Sequence, residues 1–263
     1  MVLFKISFKG DVMTGILKLM SILVLASLIW TTPGEAAQKV LFDTGHGERF
    51  LVNDPGPLQL SGLAEILKSA GAEVATIDQP FSDATLAGAH AVVISGAFNA
   101  LHPAEIEALQ RFMQGGGKLA VMLHIAPPMA TLLESLHVTY TNGVVQERQN
   151  VIDNDPIRFY VQQIEPHPAL SGVTRFSVHG AWGLMNLAHT ARVVAATGPQ
   201  AWVDLNMDKV QEKKETASFG VAVAGEVGRG GFIAFGDDAL FQNKFLDDDN
   251  RYLARSLAGW LNN

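Results

Sequence analysis

Acidic, hydroxyl and imidazole side chains follow several apolar segments of the sequence, at positions where buried strands would end. They are Asp43, His46 and Glu48 after the first segment, Ser95 after the third, His124 after the fourth, and Asp237 and Asp238 after the last. Open α/β sheets bind ligands at the carboxyl ends of their strands. If these loops converge, they form an acidic cleft that could bind a polar ligand, hold a divalent metal or transfer protons. These seven residues are the candidate site.

The same residues have a purely structural interpretation. The run from Asp43 to Gly47 reads Asp-Thr-Gly-His-Gly, which is what a tight strand-to-helix loop requires. The aspartate of such a loop accepts backbone N–H bonds, and the glycines supply positive φ angles. The sequence leaves open whether this loop binds a ligand or only turns the chain.

A serine triad is a weaker hypothesis, in which Ser95 is the nucleophile, His124 the base and Asp237 the orienting acid. The sequence around Ser95 lacks the G-x-S-x-G elbow, because Ala97 occupies a position that needs glycine. His124 has a simpler interpretation as a strand-end histidine that is satisfied by a carbonyl group.

Three other motifs also have two interpretations. The Gly-Arg-Gly-Gly run at 228–231 resembles a phosphate loop, but an apolar strand pattern follows it, which favours a hairpin turn. The acidic run 247–249 could attract calcium, although acidic residues also complement the first turn of a helix. Trp182 and Trp202 could stack on a sugar or peptide, or could belong to the core.

Composition excludes several classes of protein. Of the 263 residues, 48% are hydrophobic and 17% charged, which is too apolar for an intrinsically disordered chain. The net charge of −7 and the lack of a basic block argue against nucleic-acid binding. The sequence contains no cysteine, which excludes disulfides, thiolate nucleophiles, zinc–thiolate sites and iron–sulfur clusters.

The first 36 residues have the features of a secretory signal peptide. A basic stretch precedes a mostly apolar segment, 19–30, and small residues follow it. The apolar segment is shorter than a bilayer span, so we expect cleavage after Ala36 or Ala37 and no stable membrane insertion afterwards. Met13 is an alternative start to Met1. The mature protein is expected to be periplasmic or secreted.

Alternating strand and helix patterns predict a doubly wound, mostly parallel α/β sheet for the first part of the mature chain. The region 138–200 has short β-like pieces and no linker, which indicates an irregular β-rich elaboration of a single domain covering 37–263. The predicted strands are 39–43, 73–77, 89–95, 118–124, 219–224 and 231–235, and the predicted helices are 61–70, 103–114, 129–136 and 247–261.

Several phrases of the sequence resemble the DUF4350 family, a branch of the glutamine-amidotransferase-like (GATase-like) proteins that also include GldG-like and intraflagellar-transport GIFT domains. They are FDTGHGERF (42–50), LSGL (60–63), GGGKLAVMLH (115–124), HPALSGV (167–173) and FGDDALFQN (235–243). The resemblance implies a flavodoxin-like sheet and a domain that binds or scaffolds. Amidotransferases of this superfamily use a cysteine, so its absence argues against that activity here.

Two functions remain from different classes. The first is an exported, non-catalytic domain that binds a small polar ligand, a glycan or a protein partner in the cleft, without a cofactor or a resident metal. The alternative is a metal-assisted hydrolase that uses the same acidic residues. Both require the loops after the first and last strands to meet at one sheet edge, and we expect Asp43 and Asp237 to be neighbours there.

Overall fold

Short, mostly apolar segments form the centre of a ten-stranded sheet in the computed structural model, which describes residues 37–263. The predicted signal peptide, 1–36, lies outside the described residues. Five strands are parallel in the order β2-β1-β3-β4-β13. Their bounds are Lys39–Asp43 (β1), Glu73–Ile77 (β2), Ala91–Ser95 (β3), Lys118–Met122 (β4) and Gly230–Phe235 (β13).

Helices cover both faces of these strands, because successive strand residues point to opposite sides. Val40 and Phe42 belong to one buried core, whereas Leu41 belongs to the other. The first core also contains apolar side chains of α1 (Ser61–Ser69) and α4 (Asp248–Leu261), and the second those of α2 (Pro103–Gln114) and α3 (Ala130–Ser135). The predicted mixed α/β class is confirmed.

Antiparallel strands extend the sheet beyond β13. The glycine-rich run at 228–231 connects β12 (Gly220–Val227) to β13 as a hairpin, with Gly228 at a φ of +62°. The hairpin interpretation is therefore confirmed. Four further strands continue the antiparallel part: β5 (Val138–Val144), β8 (Gln163–Ile164), β10 (Trp182–Asn186) and β11 (Ala191–Ala196).

The predicted elaboration at 138–200 divides between two sheets. β5, β8, β10 and β11 belong to the central sheet, whereas β6 (Val151–Ile152), β7 (Asp155–Val161) and β9 (Phe176–His179) form a separate three-stranded sheet. Short strand patterns indicate extended backbone but not the pairing partner, so the sequence alone did not reveal this division.

The C-terminal helix, α4, connects the three-stranded sheet to the segment that follows β13. The Asn250 side chain accepts a bond from Ser177 N at 2.8 Å and donates to the carbonyls of Leu240 at 3.0 Å and Phe245 at 3.1 Å. The Asp247 carboxylate accepts a bond from Asn250 N at 2.9 Å, which is a helix N-cap. Among residues 37–263, no helix is long and apolar enough to cross a membrane.

Candidate functional site

All the loops that carry candidate residues leave the same edge of the sheet. β1, β3, β4 and β13 are parallel neighbours, so their carboxyl ends face one side. Two strands lie between β1 and β13, however, and at about 4.8 Å per strand this separates the loops after Asp43 and Phe235 by about 14 Å. Asp43 and Asp237 therefore share an edge without being the direct neighbours that we expected. Six of the seven candidate residues form two groups, and Ser95 belongs to neither.

In the first group, the imidazole of His46 bridges two carboxylates. Its Nδ1 lies 2.7 Å from Asp43 Oδ2, and its Nε2 lies 3.2 Å from Glu105 Oε1. All three side chains are buried, and the His46 residue is 7% exposed. The bridge joins the loop after β1 to the first turn of α2.

The two carboxylates determine the charge of His46. Burial lowers its pKa, but the hydrogen bond and charge of Asp43 and the charge of Glu105 outweigh burial and raise the pKa to about 9. His46 is thus an imidazolium at neutral pH, and it donates from both ring nitrogens. An imidazolium has no lone pair for a metal, so binding one at His46 requires loss of a proton and of one hydrogen bond.

Glu105 was not among the candidate residues, although it completes this group. Its Oε1 also accepts a bond from Phe81 N at 2.9 Å, and its Oε2 accepts one from His102 N at 2.8 Å. Burial opposes ionisation of Glu105, but these backbone bonds and His46 lower its pKa overall. In the sequence, Glu105 is an acidic residue in the first turn of a predicted helix. That position indicates an N-terminal cap, but it does not indicate a bond to His46, which is 59 residues away.

Glu48 lies beside the bridge. One of its oxygens, Oε2, accepts a bond from His46 N at 2.8 Å, while Oε1 is buried and has no hydrogen-bond partner among the described residues. Burial, and then the neighbouring carboxylate of Asp43, raise the pKa of Glu48 to about 8. Ligand atoms of Asp43, His46 and Glu48 all lie within 4.8 Å of one another, which is a compact set for a cation.

The second group is a pair formed by His124 and Asp238, with Asp237 beside it. His124 Nδ1 lies 3.1 Å from Asp238 Oδ1, and this hydrogen bond is the main reason that the pKa of His124 is raised. Asp237 accepts bonds from His179 N at 2.5 Å and Ala239 N at 2.9 Å. Burial, and then the charge of Asp238, raise the pKa of Asp237 to about 7.

Ser95 does not belong to a triad. Its hydroxyl is buried and makes no hydrogen bond to any described residue, and His124 is bonded to Asp238, not to Asp237. The residue that follows, Gly96, has a φ of +67°, and a Cβ there would lie 2.6 Å from Asp238 Oδ2. This close approach explains the glycine.

Two aromatic rings connect the groups. Phe50 and Phe98 lie with their ring centroids 5.0 and 5.4 Å from that of His124. The loop that contains Phe98 is also hydrogen-bonded to the first group, since Phe98 N donates to the carbonyl of His46 at 3.0 Å. No sequence pattern indicated either ring as part of the site, because apolar residues in loops after strands usually belong to the core.

The two tryptophans have different positions. Trp182 is half-buried, and its indole N–H donates to the carbonyl of His124 at 3.2 Å, so it belongs to the site edge. Trp202 is buried and belongs to the core.

A cavity of about 290 Å³ opens where the strand order reverses. The chain leads from β1 to β2 on one side and from β3 to β4 on the other, so the loops after β1 and β3 diverge and leave a crevice, which is where open α/β sheets bind ligands. We call it the switch-point cavity. Its lining residues are Gly45, His46, Asp78, Pro80, Asn99, Ala100, His102 and Glu105.

These features define an α/β domain with a buried histidine–carboxylate bridge under a polar crevice. A family model described as "Domain of unknown function (DUF4350)" matches residues 52–258. The chain therefore belongs to the DUF4350 family. A comparison with proteins of curated function finds no match.

Solved structures share the fold at low sequence identity. The mmIFT52 N-terminal domain is 18% identical, with a TM-score of 0.68 over 85% of this chain and 97% of that one. A Bacteroides uniformis protein described as ThuA-like is 11% identical, with a TM-score of 0.53 over 86% and 91% of the two chains. At these identities the likeness shows the fold alone.

Proposed function

We propose that the chain is an exported, non-catalytic domain that binds a small polar ligand, a glycan or a polar group of a protein partner in the switch-point cavity. The cavity itself supports this proposal most directly, because it lies where the strand order reverses and has the His46 bridge as part of its wall. Its volume of about 290 Å³ suits a ligand of roughly monosaccharide or amino-acid size.

The chemistry of the lining favours a ligand with hydrogen-bonding groups. Asp78, Asn99 and His102 are exposed and offer acceptors and donors around the opening. The His46 bridge is already satisfied, so it supports the cavity in one conformation without having to rearrange. Rigid polar walls of this kind suit binding, because they reduce the entropy lost when a ligand is held.

The finer fold assignment is also part of the proposal. The parallel order β2-β1-β3-β4-β13 corresponds to the 2-1-3-4-5 order of flavodoxin-like sheets, which supports a flavodoxin-like, GATase-like domain. The absence of cysteine from the sequence argues against amidotransferase chemistry. Export rests on the basic, apolar and small-residue pattern of 1–36.

The proposal is tested by a thermal-shift screen with monosaccharides and amino acids, followed by a variant that fills the cavity. Ala100 lines the opening, so Ala100→Phe should remove the rise in melting temperature that a bound compound produces. Ala104→Phe is the matched control, because Ala104 is also exposed and does not line the cavity. A compound that stabilises the two variants equally, or a panel with no stabilising compound, would contradict the proposal.

A metal-assisted hydrolase is the second candidate, and the compact set of Asp43, His46 and Glu48 favours it. It ranks second because His46 holds protons on both nitrogens, with a pKa of about 9. A metal would have to displace a proton that two buried carboxylates stabilise.

A further inference from the structure

A larger cavity lies at the opposite edge of the sheet, where the parallel strands begin. It has a volume of about 680 Å³, and its lining includes Lys118 at the start of β4 and the hairpin that leads into β13. It is therefore separate from the switch-point cavity, which lies beyond the carboxyl ends of these strands.

Positive side chains dominate this cavity, although the sequence carries a net charge of −7. Lys118, Arg192 and Arg229 line it together with two histidines, His167 and His189. Among the lining residues that the structure describes, Glu226 is the only acidic one. The cavity thus concentrates cationic groups in a protein that is otherwise acidic.

None of the three strong cations forms an ion pair with a carboxylate within residues 37–263. Each donates to a backbone carbonyl instead: Lys118 Nζ to Trp260 O at 2.7 Å, Arg192 Nη2 to Pro166 O at 2.6 Å and Arg229 Nη2 to Gly115 O at 2.9 Å.

Helix ends account for part of this arrangement. Trp260 lies in the last turn of α4 and Gly115 follows α2, so Lys118 and Arg229 complement the negative ends of two helix dipoles. Arg192 is at neither helix end. Lysine has three donors and arginine five, so every one of these side chains keeps donors for a further acceptor.

We infer that this cavity binds a small polyanion through its phosphate or carboxylate groups. Three cations that have no carboxylate partner in the described part of the chain supply the countercharge, and arginine matches the geometry of both oxyanions. The neutral ring of His167 adds a hydrogen-bonding group beside Trp260, whose ring centroid is 5.7 Å away. Burial, and then the charge of Arg192, lower the pKa of His167 to about 4.

Calorimetric titration of the protein with pyrophosphate and with citrate, at matched ionic strength, tests the inference and distinguishes the two oxyanions. We expect saturable binding of at least one, with one site per chain. Arg192→Gln should weaken it by about tenfold or more, because the substitution removes the positive charge and the guanidinium fork and leaves a shorter, neutral polar side chain. Arg192 is exposed, so the variant should fold.

Arg111→Gln is the matched control, because Arg111 pairs with Asp83 outside the cavity and its loss should leave the affinity unchanged. Trp260 lines the cavity and provides a local readout, so binding should change tryptophan emission in wild type and not in Trp260→Phe. The inference is overturned if neither anion gives saturable heat, or if Arg192→Gln and Arg229→Gln both bind with wild-type affinity.

Discussion

His124 and Asp238 form a hydrogen-bonded pair in which the imidazole is accessible and the carboxylate is not. His124 Nδ1 lies 3.1 Å from Asp238 Oδ1, and the two side chains are 40% and 1% exposed. A buried acid that holds one ring nitrogen fixes the orientation of the ring and favours its charged form. Phe98 packs against His124, and the next two residues of its loop, Asn99 and Ala100, line the switch-point cavity.

The pKa of His124 should therefore be above 6.5 in the wild-type protein and lower in Asp238→Asn. The hydrogen bond to Asp238 is the largest contribution to the raised pKa, and the amide removes the negative charge that supports it. An NMR titration of the ring protons measures both values. Equal pKa values in the two proteins would show that Asp238 does not control the charge of His124.

Replacing His46 should destabilise the fold more near neutral pH than in alkali. His46→Gln leaves Asp43 and Glu105 buried without their cation, which we expect to cost about 3–5 kcal/mol at about pH 7. A histidine whose pKa is raised contributes stability below its unfolded value of 6.5 and loses it as pH rises through about 9. Wild type and variant should thus converge near pH 10.

Urea unfolding at the two pH values gives the measurement, and His189→Gln is the control because His189 is exposed. A loss of stability that is the same at both pH values would indicate that His46 acts by packing and not by charge.

Glu48→Gln should have the opposite effect, stabilising the protein in alkali. The folded pKa of about 8 is above the ordinary value of 4.5, so ionisation of Glu48 costs stability as pH rises from about 4.5 to 8. The amide carbonyl keeps the bond from His46 N and removes that cost. We expect equal stability near pH 4 and a gain of about 1–2 kcal/mol near pH 9, after allowance for partial exposure. A variant that is less stable in alkali would contradict the raised pKa.

The sequence predicted which edge of the sheet carries the candidate site, because buried strands and amphipathic helices have clear periodic patterns. The parallel strands ending at Asp43, Ser95 and Met122 lie within two residues of the predicted ends. What it could not predict was strand order. Asp43 and Asp237 were expected to meet, but β3 and β4 lie between their strands, and no local pattern records which strands are neighbours.

Hydrogen bonds between residues far apart in the chain could also not be predicted from the sequence. Glu105 and Asn250 lie within two of the predicted helices, yet each bonds to groups many positions away. A buried polar residue has to find such partners, but its burial is a property of the fold. Asn250 is a clear example, since its environment combines α4, β9 and the segment after β13.

Asn250→Ala should cost about 2–4 kcal/mol of unfolding free energy, because it leaves the buried N–H of Ser177 and several carbonyls without a partner. Asn262→Ala is the matched control at the other end of the same helix, where the partly buried side chain donates a bond to Ala70 O. Chemical denaturation measures both. A similar small loss in the two variants would show that the buried network contributes little.

The site is either a binding cavity supported by an ionised bridge or a metal centre. Measuring the protonation of His46 in the presence of metal distinguishes these two alternatives most directly. ¹⁵N NMR of the His46 ring at about pH 7 should show protons on both nitrogens, as a pKa of about 9 requires. Excess Zn²⁺ or Mg²⁺ should leave these signals and the melting temperature unchanged. Loss of a ring proton on addition of metal, with a rise in melting temperature that Asp43→Asn abolishes, would contradict the account and favour the hydrolase.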